Sequence, residues 1–194
     1  MDAYDPRTAL LVVDVQNDFA DPAGSLYVRG GEEVVAVINP EIERARSAGS
    51  SIFYTQDWHP EDTPHFSKDG GVWPVHCVMG TWGAELRPDL EVQGEVIRKG
   101  SGGEDGYSGF SVRHPVSGER ESTPLETLLE ARGVESVVIA GLTTDYCVKE
   151  TALDALRRGY RTTVLTRAIR AVDVQPGDGE RALAEIEERG GRLE

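Results

Sequence analysis

The sequence of 194 residues predicts an α/β fold with three layers, in which helices cover both faces of a doubly wound parallel sheet. Short, almost continuous apolar runs recur along the chain, as is typical of strands buried on both faces. Segments with helical periodicity separate most of these runs. Strands that alternate with helices favour right-handed crossovers, which place helices on both sides of a parallel sheet.

The first β-α-β unit has the strongest pattern. Thr8–Val13 is an apolar run typical of a buried strand, and Glu32–Ala48 follows with helical spacing up to Gly49. Ser51–Thr55 provides the second strand of the unit. The remaining predicted strands are Glu95–Arg98, Ser136–Ala140 and Tyr160–Leu165, and the remaining predicted helices are Pro124–Ala131, Thr144–Arg158 and Gly179–Glu188. Mixed charges along the last helix indicate a face turned to water.

Length and composition limit the classes of function. We expect one domain, residues 1–194, which buries enough surface to fold without disulfides. The formal net charge of -14 opposes binding to nucleic acid or to anionic lipid. No apolar run is long enough to cross a membrane, and the start lacks the segments of a signal peptide. We therefore expect a cytoplasmic protein in which Cys77 and Cys147 are free thiols.

Residues 56–93 and 100–121 do not follow the alternation of strands and helices. Long irregular insertions in a compact domain are usually either functional or disordered. Aromatic residues disfavour disorder here; they are Trp58, Phe66, Trp73, Trp82, Tyr107 and Phe110. The sequence therefore predicts two ordered segments with a functional role.

Reactive side chains follow the predicted strands at the points where the strands end. In an open parallel sheet, ligands bind beyond the carboxyl ends of the strands. An acid follows the first strand, an Asp-x-His pair the second, a lysine the third and a thiol the fourth: Asp14, Asp57 with His59, Lys99 and Cys147. Singly, Asp14 could cap a turn and Lys99 could be a solvated loop lysine. Their shared position predicts one reactive site.

Cys147 lies at a predicted junction between a strand and a helix. Unpaired amide N–H groups and the positive end of the helix dipole favour a thiolate there, so we expect its pKa to fall below the free value of about 8.5. Such a thiolate would be a nucleophile. The alternative is the ordinary role of a free cysteine, a small buried hydrophobic residue.

Three of the four histidines lie in the first irregular segment. Asp57 and His59 are one residue apart on an extended backbone, from which both can bend toward one ion, and a later histidine such as His76 can complete the site. Nitrogen and oxygen ligands of this kind suit a divalent transition metal, Zn first and otherwise Mn or Fe. A histidine-bearing loop without metal is the alternative. Cys77, beside His76, is expected to pack and not to bind the ion.

With these residues the sequence resembles the nicotinamidases (pyrazinamidases) of the isochorismatase-like hydrolase superfamily, over nearly the whole chain. The matching segments are residues 13–19 (VDVQNDF), 57–60 (DWHP), 73–77 (WPVHC), 99–100 (KG), 107–110 (YSGF) and 141–148 (GLTTDYCV). The acid, lysine and cysteine indicate the superfamily, and the metal-binding residues narrow the resemblance to nicotinamidases. The resemblance implies a mainly parallel sheet of six strands.

The resemblance implies hydrolysis of nicotinamide, or of pyrazinamide-like analogues, to the acid and ammonia. Cys147 would be the nucleophile that forms a thioester, Asp14 the general base and acid, and Lys99 the cation that stabilises both anions. The implied oxyanion hole consists of the amide N–H groups of Thr143 and Cys147, beside a cis peptide bond between Leu142 and Thr143.

The resemblance also implies a divalent metal ion that orients the pyridine ring. The implied ligands are Asp57, His59 and His76. His65 stands where some relatives have a further histidine ligand and others do not. In the resembled family, certain positions line a flat aromatic pocket. The residues that match those positions here are Phe19, Trp73 and Tyr107.

Two other functions stay open on the sequence alone. The acid, lysine and cysteine could hydrolyse another small amide, such as a carbamoyl or ureido compound, and the protein would then need no metal. A non-catalytic binding module could use Cys147 as a redox sensor, although this gives no reason for Asp14 and Lys99 to meet the thiol. The expected partner is a small-molecule amide, without nucleic acid or membrane, and a homo-oligomer is compatible with the sequence.

Overall fold

A parallel sheet of six strands forms the centre of the computed structural model, which describes residues 4–194. The strands of the protein are β1 (Thr8–Val13), β2 (Ser51–Asp57), β3 (Glu95–Lys99), β4 (Ser111–Arg113), β5 (Arg120–Ser122), β6 (Ser136–Leu142), β7 (Arg161–Arg170) and β8 (Arg192–Leu193). The sheet has the order β3-β2-β1-β6-β7-β8, while β4 and β5 pair separately as an antiparallel hairpin. The predicted doubly wound α/β fold with six strands is confirmed.

Helices pack on both faces of this sheet. They are α1 (Asn17–Ala20), α2 (Val34–Ser47), α3 (Leu125–Ala131), α4 (Lys149–Arg157) and α5 (Asp178–Glu188). Side chains of β1 alternate between two apolar layers, because successive residues of a strand point to opposite faces. Leu10 and Val12 pack with α1 and α2, whereas Leu11 and Val13 pack with α3, α4 and α5. No helix within residues 4–194 has the length and apolar character that crossing a membrane requires.

The strand predicted over Tyr160–Leu165 is longer in the structure, where β7 reaches Arg170. Extra residues in β7 shift its register against β6 after Ile139, so that Ile169 pairs with Gly141 and Arg170 with Leu142. Gly141 has a φ of 116°, and a Cβ at this position would lie 2.0 Å from a backbone oxygen of β1. Only glycine fits such a close approach, which brings the end of β6 against β1.

The two irregular segments contain more regular structure than the sequence predicts. β2 extends beyond Thr55 to Asp57, because its last residues continue to pair with β3. The hairpin of β4 and β5 lies at the end of the second segment. Strands of three residues are too short for an alternating pattern to indicate them.

Candidate active site

Three strands that lie side by side bring charged residues to one edge of the sheet. Asp57 ends β2, its register partner Lys99 ends β3, and Asp14 directly follows β1. The ammonium group of Lys99 donates to Asp14 Oδ2 at 2.7 Å and to Asp57 Oδ1 at 2.5 Å. Lys99 is 1% exposed and is therefore not a solvated loop lysine. Although burial opposes the charge, the two carboxylates hold the pKa of Lys99 well above its ordinary value.

Asp14 is held in an environment suited to proton transfer. Its φ is 46°, a left-handed conformation that aspartate tolerates better than most residues. Its Oδ1 atom accepts a hydrogen bond of 2.6 Å from the hydroxyl of Thr55. Burial raises the pKa of Asp14 to about 6, even though Lys99 favours the charged form. A carboxyl group that titrates near neutral pH can both accept and return a proton.

Cys147 joins this cluster from the helical turn that follows β6. Its Sγ atom lies 3.8 Å from Lys99 Nζ and within 4.8 Å of a carboxylate oxygen of Asp14. The predicted helix over Thr144–Arg158 begins with a π-helical turn, Thr144–Val148, and continues as α4. Cys147 therefore lies within the first turn, 5% exposed, at the carboxyl edge of the sheet.

The expectation that the pKa of Cys147 falls is wrong. Burial raises the pKa of this thiol well above its ordinary value, and the carboxylates of Asp14 and Asp57 raise it further. Lys99 acts in the opposite direction but does not outweigh them. The resting thiol is therefore protonated, and it needs a proton acceptor in contact with it.

The turn before the cysteine contains the cis peptide bond that the resemblance implies, between Leu142 and Thr143. The carbonyl of Thr143 accepts hydrogen bonds from the amides of Tyr146 at 3.2 Å and Val148 at 3.0 Å. The side-chain hydroxyl of Thr143 is buried and has no hydrogen-bond partner among the residues described.

Three histidines gather beside the ion-pair cluster. Ring nitrogens of His59, His65 and His76 all lie within 4.8 Å of one another, and each of the three side chains is at most 4% exposed. Asp57 contributes from the sheet edge, with Oδ2 3.7 Å from His59 Nε2 and 4.0 Å from His76 Nε2. Asp57 thus connects the two clusters, because its other oxygen binds Lys99.

The donor atoms of this cluster fit a divalent metal ion. Neither ring nitrogen of His59 has a hydrogen-bond partner within residues 4–194, although both are buried. The Nδ1 atom of His76 lies 2.7 Å from the carbonyl of Pro74, which leaves Nε2 as a lone-pair donor. Burial lowers the pKa of His76 to about 4 and so keeps the ring neutral. Neutral imidazoles beside a carboxylate are ordinary ligands of zinc and related metals.

A partly open pocket is lined by Cys147 at its base. The three aromatic residues expected around a flat pocket line it: Phe19, Trp73 and Tyr107. The indole N–H of Trp73 donates to the hydroxyl of Tyr107 at 2.7 Å and so joins the two irregular segments along the cavity wall. Aromatic walls of this kind suit a small planar ring.

Sequence reasoning missed four further residues of the pocket wall: Leu26, Gly106, Tyr146 and Val172. Val172 lies two residues beyond β7 and would have been found if the length of that strand had been predicted correctly. Tyr146 precedes Cys147, and its ring packs edge-on against Trp73 with a centroid distance of 4.8 Å. Leu26 lies in a loop where no pattern in the sequence marks it.

Comparison with known proteins identifies the family. The isochorismatase domain matches residues 8–193. The chain belongs to the isochorismatase family. The nicotinamidase of Escherichia coli K12 is 37% identical over 97% of this chain and 94% of its own length.

Two solved structures share nearly the whole fold. The pyrazinamidase of Pyrococcus horikoshii in complex with zinc has a TM-score of 0.87 at 39% identity, covering 97% of this chain and 99% of that one. The yeast nicotinamidase bound to the inhibitor nicotinaldehyde has a TM-score of 0.87 at 30% identity, covering 96% and 98%. The family resemblance predicted from the motifs is confirmed.

Proposed function

We propose that this protein is a nicotinamidase, which hydrolyses the carboxamide of nicotinamide to nicotinate and ammonia through a thioester on Cys147. The observation that carries the proposal is the contact of the thiol with the buried pair of Lys99 and Asp14, beneath a flat aromatic cavity and beside a histidine cluster. The nicotinamidases and pyrazinamidase to which the chain is similar support the same reaction.

Asp14 is the proposed general base. Its pKa of about 6 makes it a carboxylate at neutral pH, close enough to accept the proton of the neighbouring thiol. Lys99 lies in contact with both groups and stabilises the thiolate as the negative charge moves to sulfur. The raised pKa of the thiol means that the nucleophile forms only when Asp14 is free to accept the proton.

The thiolate then attacks the carboxamide carbon and forms a C–S bond, giving a tetrahedral oxyanion. We assign the amide N–H groups of Thr143 and Cys147 as the donors that stabilise this oxygen. Asp14 returns the proton to the amide nitrogen, the C–N bond breaks and ammonia leaves. Water hydrolyses the remaining thioester, releasing nicotinate and restoring the thiol.

The proposed metal site consists of Asp57, His59 and His76, with His65 as a fourth ligand. The mutual approach of the three histidines and the two unpartnered nitrogens of His59 support this assignment. A bound divalent ion, with zinc as the first candidate and Mn or Fe as the others, would orient the ring by accepting the pyridine nitrogen as a ligand. The walls formed by Phe19, Trp73 and Tyr107 would hold the ring flat.

The histidine cluster favours nicotinamide over a carbamoyl or ureido substrate, since such a substrate gives the metal no ring nitrogen to bind. The buried ion pair beside the thiol disfavours a redox module, for which no acid or lysine is needed. We also propose a cytoplasmic location, because a reducing compartment keeps the nucleophilic thiol free.

The test is an ammonia-release assay on protein whose metal content has been measured beforehand. We expect equal amounts of ammonia and nicotinate, and little turnover of benzamide, which has the same shape but no ring nitrogen. Denaturing the enzyme with acid during turnover should leave a nicotinoyl group on Cys147, visible as an added mass. Turnover of carbamoyl compounds in preference to nicotinamide, or no acyl group on this residue, would contradict the proposal.

A further inference from the structure

Asp105 is a buried carboxylate that the proposed reaction does not use. It lies in the second irregular segment and is 6% exposed. Its Oδ1 atom is 2.7 Å from His65 Nδ1, and its Oδ2 atom accepts a hydrogen bond of 2.8 Å from Arg113. Both carboxylate oxygens are therefore engaged, one by the histidine cluster and one by the hairpin.

The backbone holds this carboxylate in place. The amide of Asp105 donates to the carbonyl of Arg113 at 2.7 Å, and the amide of Arg113 donates back at 2.9 Å. Arg113 is the last residue of β4, so the hairpin and the carboxylate are joined by main chain and side chain together. The next residue, Gly106, accepts a hydrogen bond from Lys99, which ties the same segment to the sheet edge.

A carboxylate on one ring nitrogen determines how a histidine can bind an ion. It keeps the proton on Nδ1, leaves the lone pair on Nε2 and prevents rotation of the ring. His59 has no such partner, and His76 has only a backbone carbonyl. Among these three histidines, His65 alone has a charged partner on its outer nitrogen.

We propose that Asp105 is a positioning residue, which fixes the ring of His65 as a ligand and so sets the affinity of the protein for a divalent metal ion. The hairpin of β4 and β5 acts through Arg113 to hold Asp105 in place. This inference rests on the proposed metal site. Loss of partners of this kind typically weakens metal binding by about 10- to 100-fold.

The experiment measures the dissociation constant of Zn²⁺ for the full chain after metal removal, by competition with a chromogenic chelator. Asp105→Ala should weaken binding by about 10- to 100-fold. Asp105→Asn should weaken it less, because the amide oxygen can still accept from Nδ1. In the background of His65→Ala, Asp105→Ala should cause no further loss, since the carboxylate acts through that ring.

Asp154→Asn is the matched control. Asp154 accepts hydrogen bonds from Ser108 and Ser111, so it anchors the same segment, but it bonds to no histidine among the residues described. It should leave zinc affinity within about twofold of the unmodified protein, well inside the effect expected for Asp105. If it weakens binding as much as Asp105→Ala does, the effect is general loosening of the segment and the inference is overturned.

Two other results would also overturn the inference: unchanged zinc affinity in Asp105→Ala, or additive losses from the changes at Asp105 and His65. If Asp105→Ala does not fold, the zinc affinity of Asp105→Asn is measured in its place. A zinc affinity equal to that of the unmodified protein would then overturn the inference. The readout needs no substrate. Failure to hydrolyse nicotinamide would therefore refute the proposed function separately.

Discussion

The two halves of the candidate active site are held by different parts of the molecule. Asp14, Lys99 and Asp57 lie on the ends of neighbouring parallel strands, where the register of the sheet brings them together. His65 and His76 lie on an irregular segment, where single side-chain contacts fix their positions. The sheet half should therefore respond to mutation through charge balance, and the histidine half through loss of local contacts.

Cys77 illustrates how the histidine half is built. It follows His76, has a φ of 46° and is completely buried. Its amide donates to Asp18 Oδ2 at 2.7 Å, and its carbonyl accepts from the amide of His59 at 3.0 Å. The cysteine thus packs in the core and carries the backbone contacts that place two histidines. A few such contacts replace the repeated hydrogen bonds of the sheet.

The largest expected effect tests the proposed nucleophile, which contacts Lys99 of the sheet half. Cys147→Ala should lower kcat/KM for nicotinamide by a factor of about 10⁴ or more, since no other group can form the thioester. Zinc content and the Kd of nicotinamide should stay within a few-fold of the unmodified protein, because the histidine half is unchanged. Ammonia release measures kcat/KM, and calorimetric titration measures the Kd of nicotinamide. Substantial turnover by this variant would exclude covalent catalysis.

The next largest effect concerns stability. Lys99→Met leaves two buried carboxylates without their shared cation, so the free energy of unfolding should fall by about 3–5 kcal/mol in urea titrations at pH 7. Lys149→Met is the control. Lys149 is a partly exposed lysine 3.7 Å from Glu150, and its loss should cost about 1 kcal/mol or less. Equal effects of the two changes would mean that the buried cluster does not depend on its cation.

A change in the histidine half should separate metal binding from folding. His59→Ala should reduce bound metal to a small fraction of one ion per chain, with loss of activity as the consequence. The circular dichroism spectrum of the metal-free protein should stay unchanged, because the sheet does not depend on this side chain for its hydrogen bonds. Full metal content with lost activity would show that His59 is not a ligand.

The smallest expected effect is a gradual dependence of activity on pH, caused by the titration of Asp14. With its folded pKa raised to about 6, the base is active above that pH, and kcat/KM should fall tenfold per unit as pH decreases below it. The same raised pKa of Asp14 stabilises the folded state at pH values below the ordinary pKa of an aspartate. This contribution to the free energy of unfolding is lost as the pH rises through about 6. A pH–rate profile on metal-loaded enzyme checks the midpoint. A flat profile between pH 5 and 7 would exclude Asp14 as the base.

The sequence predicted the sheet half in detail because two general rules apply to it. Apolar runs reveal buried strands, and parallel strands bring the residues at their ends to one edge. Asp14, Asp57 and Lys99 are found in this way. The pKa of Cys147 was predicted in the wrong direction, since burial depends on everything packed around the thiol and not on its place in a helix.

The histidine half was only partly predictable. The spacing of Asp57 and His59 suggested a metal site, but no local pattern could decide whether His65 faces the other histidines. Its position depends on Asp105, which lies 40 residues away in the chain. Irregular segments have no period that reports which side chains point inward, so contacts of this kind appear only in the folded structure.

The hydrogen bond between Trp73 and Tyr107 has a consequence for which amides reach the thiol. Asparagine and glutamine side chains on other proteins carry the same chemical group as nicotinamide, and a cell contains them in great excess. Because this hydrogen bond ties the two rings to each other, the pocket wall cannot widen at this point unless the bond breaks. We therefore expect the amide of a small flat ring to reach Cys147 more readily than the same group carried on the surface of another protein.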